Sequence, residues 1–154
     1  MENLVLPIDL EQLSVQLLEN RFEMTEEYQA LSAHQWSAVL EAMNNEQRLL
    51  LWPFISTEHA SSVLSTMRED ARNQFLAVLP QKTIVEAISS GTNAEAVEIL
   101  DVMSRRKAAK LINKLSADAQ AQIETSLSYA ENQVGRYANS NAYTLLDSAL
   151  VSDA

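Results

Sequence analysis

The sequence repeats itself about every 24 residues, and that interval constrains the fold more than any other feature. VLEAM (39–43), VLSTM (63–67), AISSG (87–91) and LINKL (111–115) each start 24 positions after the one before. The same offset links Leu51, Phe75, Ile99 and Ile123, and it links Ile55, Leu79, Met103 and Leu127. Tyr28 and Leu31 stand 24 positions before Trp52 and Ile55, as a partial upstream copy would. A period in this range marks a stacked array. One unit is too small to bury its apolar face, whereas stacked units bury a continuous core.

Each unit divides into two helices of about ten residues. Phe75, Leu76 and Leu79 fall at helical spacing, as do Val97, Leu100 and Met103. Start signals lie where the units need them: Asn44 and Asn45, Thr57, Ser104 and Ser116. Thr92 with Glu95 reads as a capping box, the hydroxyl and carboxylate satisfying free backbone N–H groups at a helix start. Pro53 is expected to kink or end the helix LLLWPFI, and Pro80 to stand between units. Upstream, Pro7 and Asp9 open a helix through Leu18, and Thr25 with Glu26 and Glu27 opens another. Gly91 and Gly135, the only glycines, each follow a helix and are expected in the left-handed conformation that ends one.

With two glycines and three prolines, turn chemistry is too sparse for an all-β chain, and the abundant Ala, Leu, Glu and Gln favour helix. The predicted class is all-α, a right-handed-type superhelix of short helix pairs. Residues 1–32 form an N-terminal helical segment, 33–134 the repeat domain, and 135–154 a junction and the start of another unit.

The net charge of −10 disfavours a sequence-independent grip on nucleic acid, which needs many bases to displace counterions. There is no cysteine, so thiolate metal sites, disulfides and cysteine nucleophiles are excluded. The N-terminus lacks a signal peptide's basic start and apolar run. The most apolar run, LLLW at 49–52, is too short to cross a bilayer, so no direct membrane insertion by this segment is expected. His34 and His59 share no repeat column. No nucleophile elbow or phosphate-binding glycine loop occurs, and an enzyme is disfavoured.

Two charged sets are candidate sites. Glu95, Glu98 and Asp101 are spaced i, i+3, i+6 and drift slowly across one helix face. They are either a solvated acidic face or oxygen ligands for a hard cation such as Mg2+, which needs only one or two carboxylates. Five of the eleven bases lie in RRKAAKLINK, residues 105–114. Arg106, Lys110 and Lys114 form a stripe there, either a charged outer face or a contact for an acidic partner.

The repeat, followed by LSYAENQVGRY (127–137), resembles the N-terminal intracellular domain of MgtE-type magnesium transporters, a superhelix also similar to helical domains of the flagellar motor switch protein FliG. Tyr129, Glu131 and Gly135 match the junction after which a pair of CBS domains follows in that family, so residues 135–154 resemble the start of a CBS-like unit. The resemblance implies a regulatory domain on the cytoplasmic side of the bacterial inner membrane. Its partners would be the CBS and transmembrane domains of the same longer chain, with a homodimer for the full transporter. It implies Mg2+ as the regulatory ion, bound weakly by the isolated domain. Glu98 falls at one of the family's acidic positions, whereas Ser62 and Ala94 fall at others and supply no carboxylate. The alternative is a FliG-like scaffold for protein interaction with no ion role.

Overall fold

The structure, a computed structural model, describes residues 5–129. Ten α-helices follow one another in this span, and no strand occurs among the described residues. Helix α1 is Leu10–Leu18 and α2 is Glu26–Gln29; then come α3 Ala33–Glu41, α4 Asn45–Leu51, α5 Thr57–Thr66 and α6 Glu69–Val78. The rest are α7 Gln81–Ser90, α8 Asn93–Asp101, α9 Arg105–Ile112 and α10 Ala117–Ser128. The odd helices from α3 onward start at 33, 57, 81 and 105, and the even ones from α4 at 45, 69, 93 and 117. Each series therefore advances by the sequence period.

The starts have chemical causes. Ser32, Asn44 and Thr92 close reciprocal capping boxes with Gln35, Gln47 and Glu95. Asp9, Ser104 and Ser116 cap α1, α9 and α10 with side-chain oxygens. Helix α6 has no side-chain cap, but Glu69 and Asp70 fill its first turn, where carboxylates meet the positive end of the helix dipole. The cap of α5 is Ser56, one residue earlier than the expected Thr57. Pro53 ends α4 as expected, because Trp52–Phe54 tightens into a 3-10 turn. Helix α1 ends in a Schellman motif that the sequence reading did not foresee. Asn20 has φ 55, Arg21 N–H donates to Gln16 O, and Asn20 N–H donates to Leu17 O.

Packing follows the repeat. Helix α3 lies on α5, α5 on α7 and α7 on α9, while α4 meets α6, α8 meets α10 and α1 covers α4. The inward columns are those of the sequence alignment. Leu51, Phe75, Ile99 and Ile123 are buried, as are Val39, Val63, Ala87 and Leu111. Trp36 is buried and Trp52 partly so, its ring meeting Phe75 edge-on at 5.5 Å between centroids.

Gly91 departs from expectation. Its φ and ψ are −110 and −169, extended backbone open to any residue. Glycine is needed there for space: a Cβ would fall on the side chain of Ser61 from α5 and beside the Glu95 carboxylate. Gly135 and the junction lie outside the described residues.

Candidate functional site

The first candidate set lies on α8, and its geometry begins one repeat earlier. Position 48 of α4 and position 72 of α6 are both arginine, and both are buried. Each sits one turn into an even helix and reaches back to the end of the odd helix before it. Arg48 Nε donates to Leu40 O at 2.7 Å, with Asn45 Oδ1 accepting from Nη1 at 3.0 Å. Arg72 Nη2 donates to Met67 O at 2.8 Å, with Nε on the same oxygen at 3.3 Å. Gln120 repeats the act in α10, donating to Leu115 O at 2.9 Å. The last carbonyls of a helix have no partner within it, and this column supplies one. Burial pulls the Arg48 pKa down, with Glu41 and Asp70 acting in the opposite sense.

Arg72 reaches further than Arg48. Its Nη1 donates to Glu98 O at 2.5 Å and faces Glu98 Oε2 at 3.4 Å. The half-buried Glu98 carboxylate is thus held against a buried guanidinium. Glu95 Oε2 accepts from Thr92 N–H at 3.0 Å, which fixes it in the capping box. Asp101 is exposed at the last residue of α8. Among the described residues no three acids or histidines come together as a group able to hold a metal ion. A divalent cation here would therefore have to compete with Arg72 and with a helix cap. Among the described residues the carboxylates do not by themselves build an ion's oxygen shell. Arg72 is the residue that the sequence reading missed, although its 24-residue offset from Arg48 was a readable signal.

The second set lies on α9. Lys107 Nζ donates to Leu76 O at 3.0 Å, closing the end of α6. Lys114 lies beyond the helix end and donates to Gln81 Oε1 at 2.7 Å. Arg105, Arg106 and Lys110 are exposed and make no ion pair among the described residues. The expected stripe thus holds two outward cations, Arg106 and Lys110, and one tethered to α7.

The histidines lie apart from both sets. His34 is exposed, and His59 lines an aromatic cleft of about 340 Å³ with Met24, Tyr28, Trp36 and Phe54. No described helix is long and apolar enough to cross a membrane.

These features define a helical-repeat module whose two candidate charged sets lie on α8 and α9. Residues 31–132 match the family described as the MgtE intracellular N domain, and the chain belongs to that family. Two solved structures share the fold. One is the soluble part of a magnesium transporter, with TM-score 0.66 and 20% identity, the match covering 82% of this chain and 52% of that one. The other is the cytosolic domain of the Mg2+ channel MgtE in complex with ATP, with TM-score 0.68 and 17% identity, covering 82% and 53%. The chain spans about half the length of either. No curated protein matches it.

Proposed function

We propose that this chain is the cytoplasmic regulatory domain of a magnesium transporter and acts with following CBS domains in Mg2+-dependent gating. The observation that carries the reading is the family match over residues 31–132. In this reading the protein has two arrangements of the helical module against the domains after it. An ion shifts such an equilibrium only by its difference in affinity for the two. Glu98, with Glu95 and Asp101 beside it, is the contribution of this chain, and the remaining oxygen ligands come from the CBS domains. The Arg72 contact and the Thr92 cap support a shared site over a self-contained one, because they occupy the two inner carboxylates. In this reading the domain lies on the cytoplasmic side of the bacterial inner membrane as part of a longer chain with a transmembrane domain, and residues 135–154 are its exit towards the CBS domains.

The test is a thermal melt of this chain across a Mg2+ series at fixed ionic strength, with Na+ and Ca2+ controls. A ligand that binds only the native state raises the melting point by mass action. The expected result is no Mg2+-specific rise for the chain alone and a clear rise once the CBS domains are attached. A rise that never appears in the longer protein would leave the scaffold reading, which the α9 cations without an ion pair among the described residues favour.

A further inference from the structure

Of the ten basic residues in the described span, seven have a partner within the molecule. Arg21 pairs with Glu19, Arg68 with Glu41, Arg72 with Glu98 and Lys82 with Glu86. Arg48, Lys107 and Lys114 donate to carbonyl or amide oxygens. The other three, Arg105, Arg106 and Lys110, all lie on α9 and all are exposed. Residues 102–117 contain five bases and no acid. In a protein of net charge −10, cations gathered on one helix with no ion pair among the described residues are a segregation of charge, since random placement would scatter them among the acids.

The opposite charge is gathered at the other end of the series. Residues 5–31 carry six acids (Asp9, Glu11, Glu19, Glu23, Glu26 and Glu27) and one base, Arg21. All six are exposed. Helix α1 packs on α4, whereas α9 packs on α7, at the far end of the odd-helix stack. No ion pair joins the two regions within one molecule among the described residues.

We propose that the α9 face of one copy docks on the acidic α1–α2 end of a second copy, a head-to-tail contact. It is heterologous, so it leaves one unused face at each end and can propagate. Other occupants fit less well. The face exposes no large apolar side chain for insertion at a lipid interface, and the rest of the surface repels anionic headgroups. Nucleic acid meets the same repulsion and finds no interleaved aromatic to stack on. The inference uses none of the α8 carboxylates and stands whether or not the gating reading does.

The salt dependence is distinctive. At about 0.01 M salt the screening length is about 30 Å and the net charges repel; at about 0.1 M it is about 10 Å and the complementary patches dominate; at about 1 M it is about 3 Å and the patches are screened too. Sedimentation of the 154-residue chain should show association at the middle salt and less on either side. The charge-reversed pair R106E/K110E should weaken it by about tenfold or more, and so should E23K/E27K. Each variant then repels itself, but an equimolar mixture pairs opposite faces and should associate again. Wild-type melting curves for both variants exclude misfolding as the cause, and the neutral R106Q/K110Q serves if a reversal does not fold. The proposal is overturned if the wild type stays monomeric at about 1 mM, if R106E/K110E associates as the wild type does, or if the mixture stays dissociated. Capture by phosphatidylglycerol vesicles without self-association would likewise overturn it and assign the face to a membrane.

Discussion

Arg72 holds Glu98 twice, through its main-chain oxygen at 2.5 Å and its carboxylate at 3.4 Å, while its other nitrogens stay on Met67 O. One buried guanidinium therefore ties the end of α5, the body of α6 and the middle of α8 together. It also faces the carboxylate that the proposed function assigns to an ion. The contact is a structural clamp, and substitution separates its main-chain part from its ion pair.

Arg72→Ala should lose about 2–4 kcal/mol of stability, because it strands buried carbonyl oxygens that cost about 1–3 kcal/mol each. Glu98→Gln should lose less than about 1 kcal/mol, since the main-chain bond survives and the carboxylate is half exposed. Urea unfolding of both variants checks the ordering. Equal losses would mean that the ion pair rather than the carbonyl contacts supplies the clamp.

Gly91 and Ser61 form a pair whose coupling a double-mutant cycle can read. Gly91→Ala places a methyl group on the Ser61 side chain, and overpacking of this kind costs about 1–3 kcal/mol. Ser61 Oγ is buried without a hydrogen-bond partner, so removing it sacrifices no bond. Ser61→Gly should therefore recover at least about 1 kcal/mol in the Gly91→Ala background beyond its effect alone. Additive losses would mean that Gly91 is not selected for space.

The helical class and the inward columns were legible because period and apolar spacing report them directly: Leu51, Phe75, Ile99 and Ile123 face the core as aligned. The caps at Asn44, Thr92, Ser104 and Ser116 were legible because one side chain and one backbone N–H settle them locally. Gly91 was misread because its reason is a neighbour thirty positions away, and composition shows no such neighbour. The state of Glu98 was hidden for the same reason. Spacing placed it on an acidic face, but its partner Arg72 comes from the preceding unit, and only the folded array brings the long Arg72 side chain to it. On α9 the sequence showed the density of charge. That Lys107 and Lys114 are tethered while Arg105, Arg106 and Lys110 make no ion pair among the described residues is a property of the packed array.

Alkaline pH should weaken the fold through Tyr28. Burial raises its pKa above the ordinary 10.0, and Glu27 and then Asp9 push it the same way. The folded protein keeps the phenolic proton to a higher pH than the unfolded chain does. Its stability is fully present below pH 10.0 and is lost as pH rises towards and through the raised folded value. Tyr28→Phe should flatten that decline while leaving stability near neutrality within about 1 kcal/mol. Urea midpoints for wild type and variant across the alkaline range decide it. Parallel declines would show that Tyr28 is not the cause.

Two aromatic contacts of similar geometry should differ sharply in worth, because one lies in the repeat column and the other at the surface. Phe75 is fully buried and meets the Trp52 ring edge-on at 5.5 Å. Phe54 is 42% exposed and meets Phe22 edge-on at 4.7 Å. Phe75→Ala opens a cavity between stacked units and should cost about 3–5 kcal/mol. Phe54→Ala gives up a ring pair and part of its surface contact and should cost about 1 kcal/mol. Since stability in a stacked array is a sum of unit and nearest-neighbour terms, Phe75→Ala should also release hydrogen-exchange protection first in α6 and in α4, which α6 meets. Uniform loss of protection along the whole chain would show instead that the array unfolds as one cooperative body.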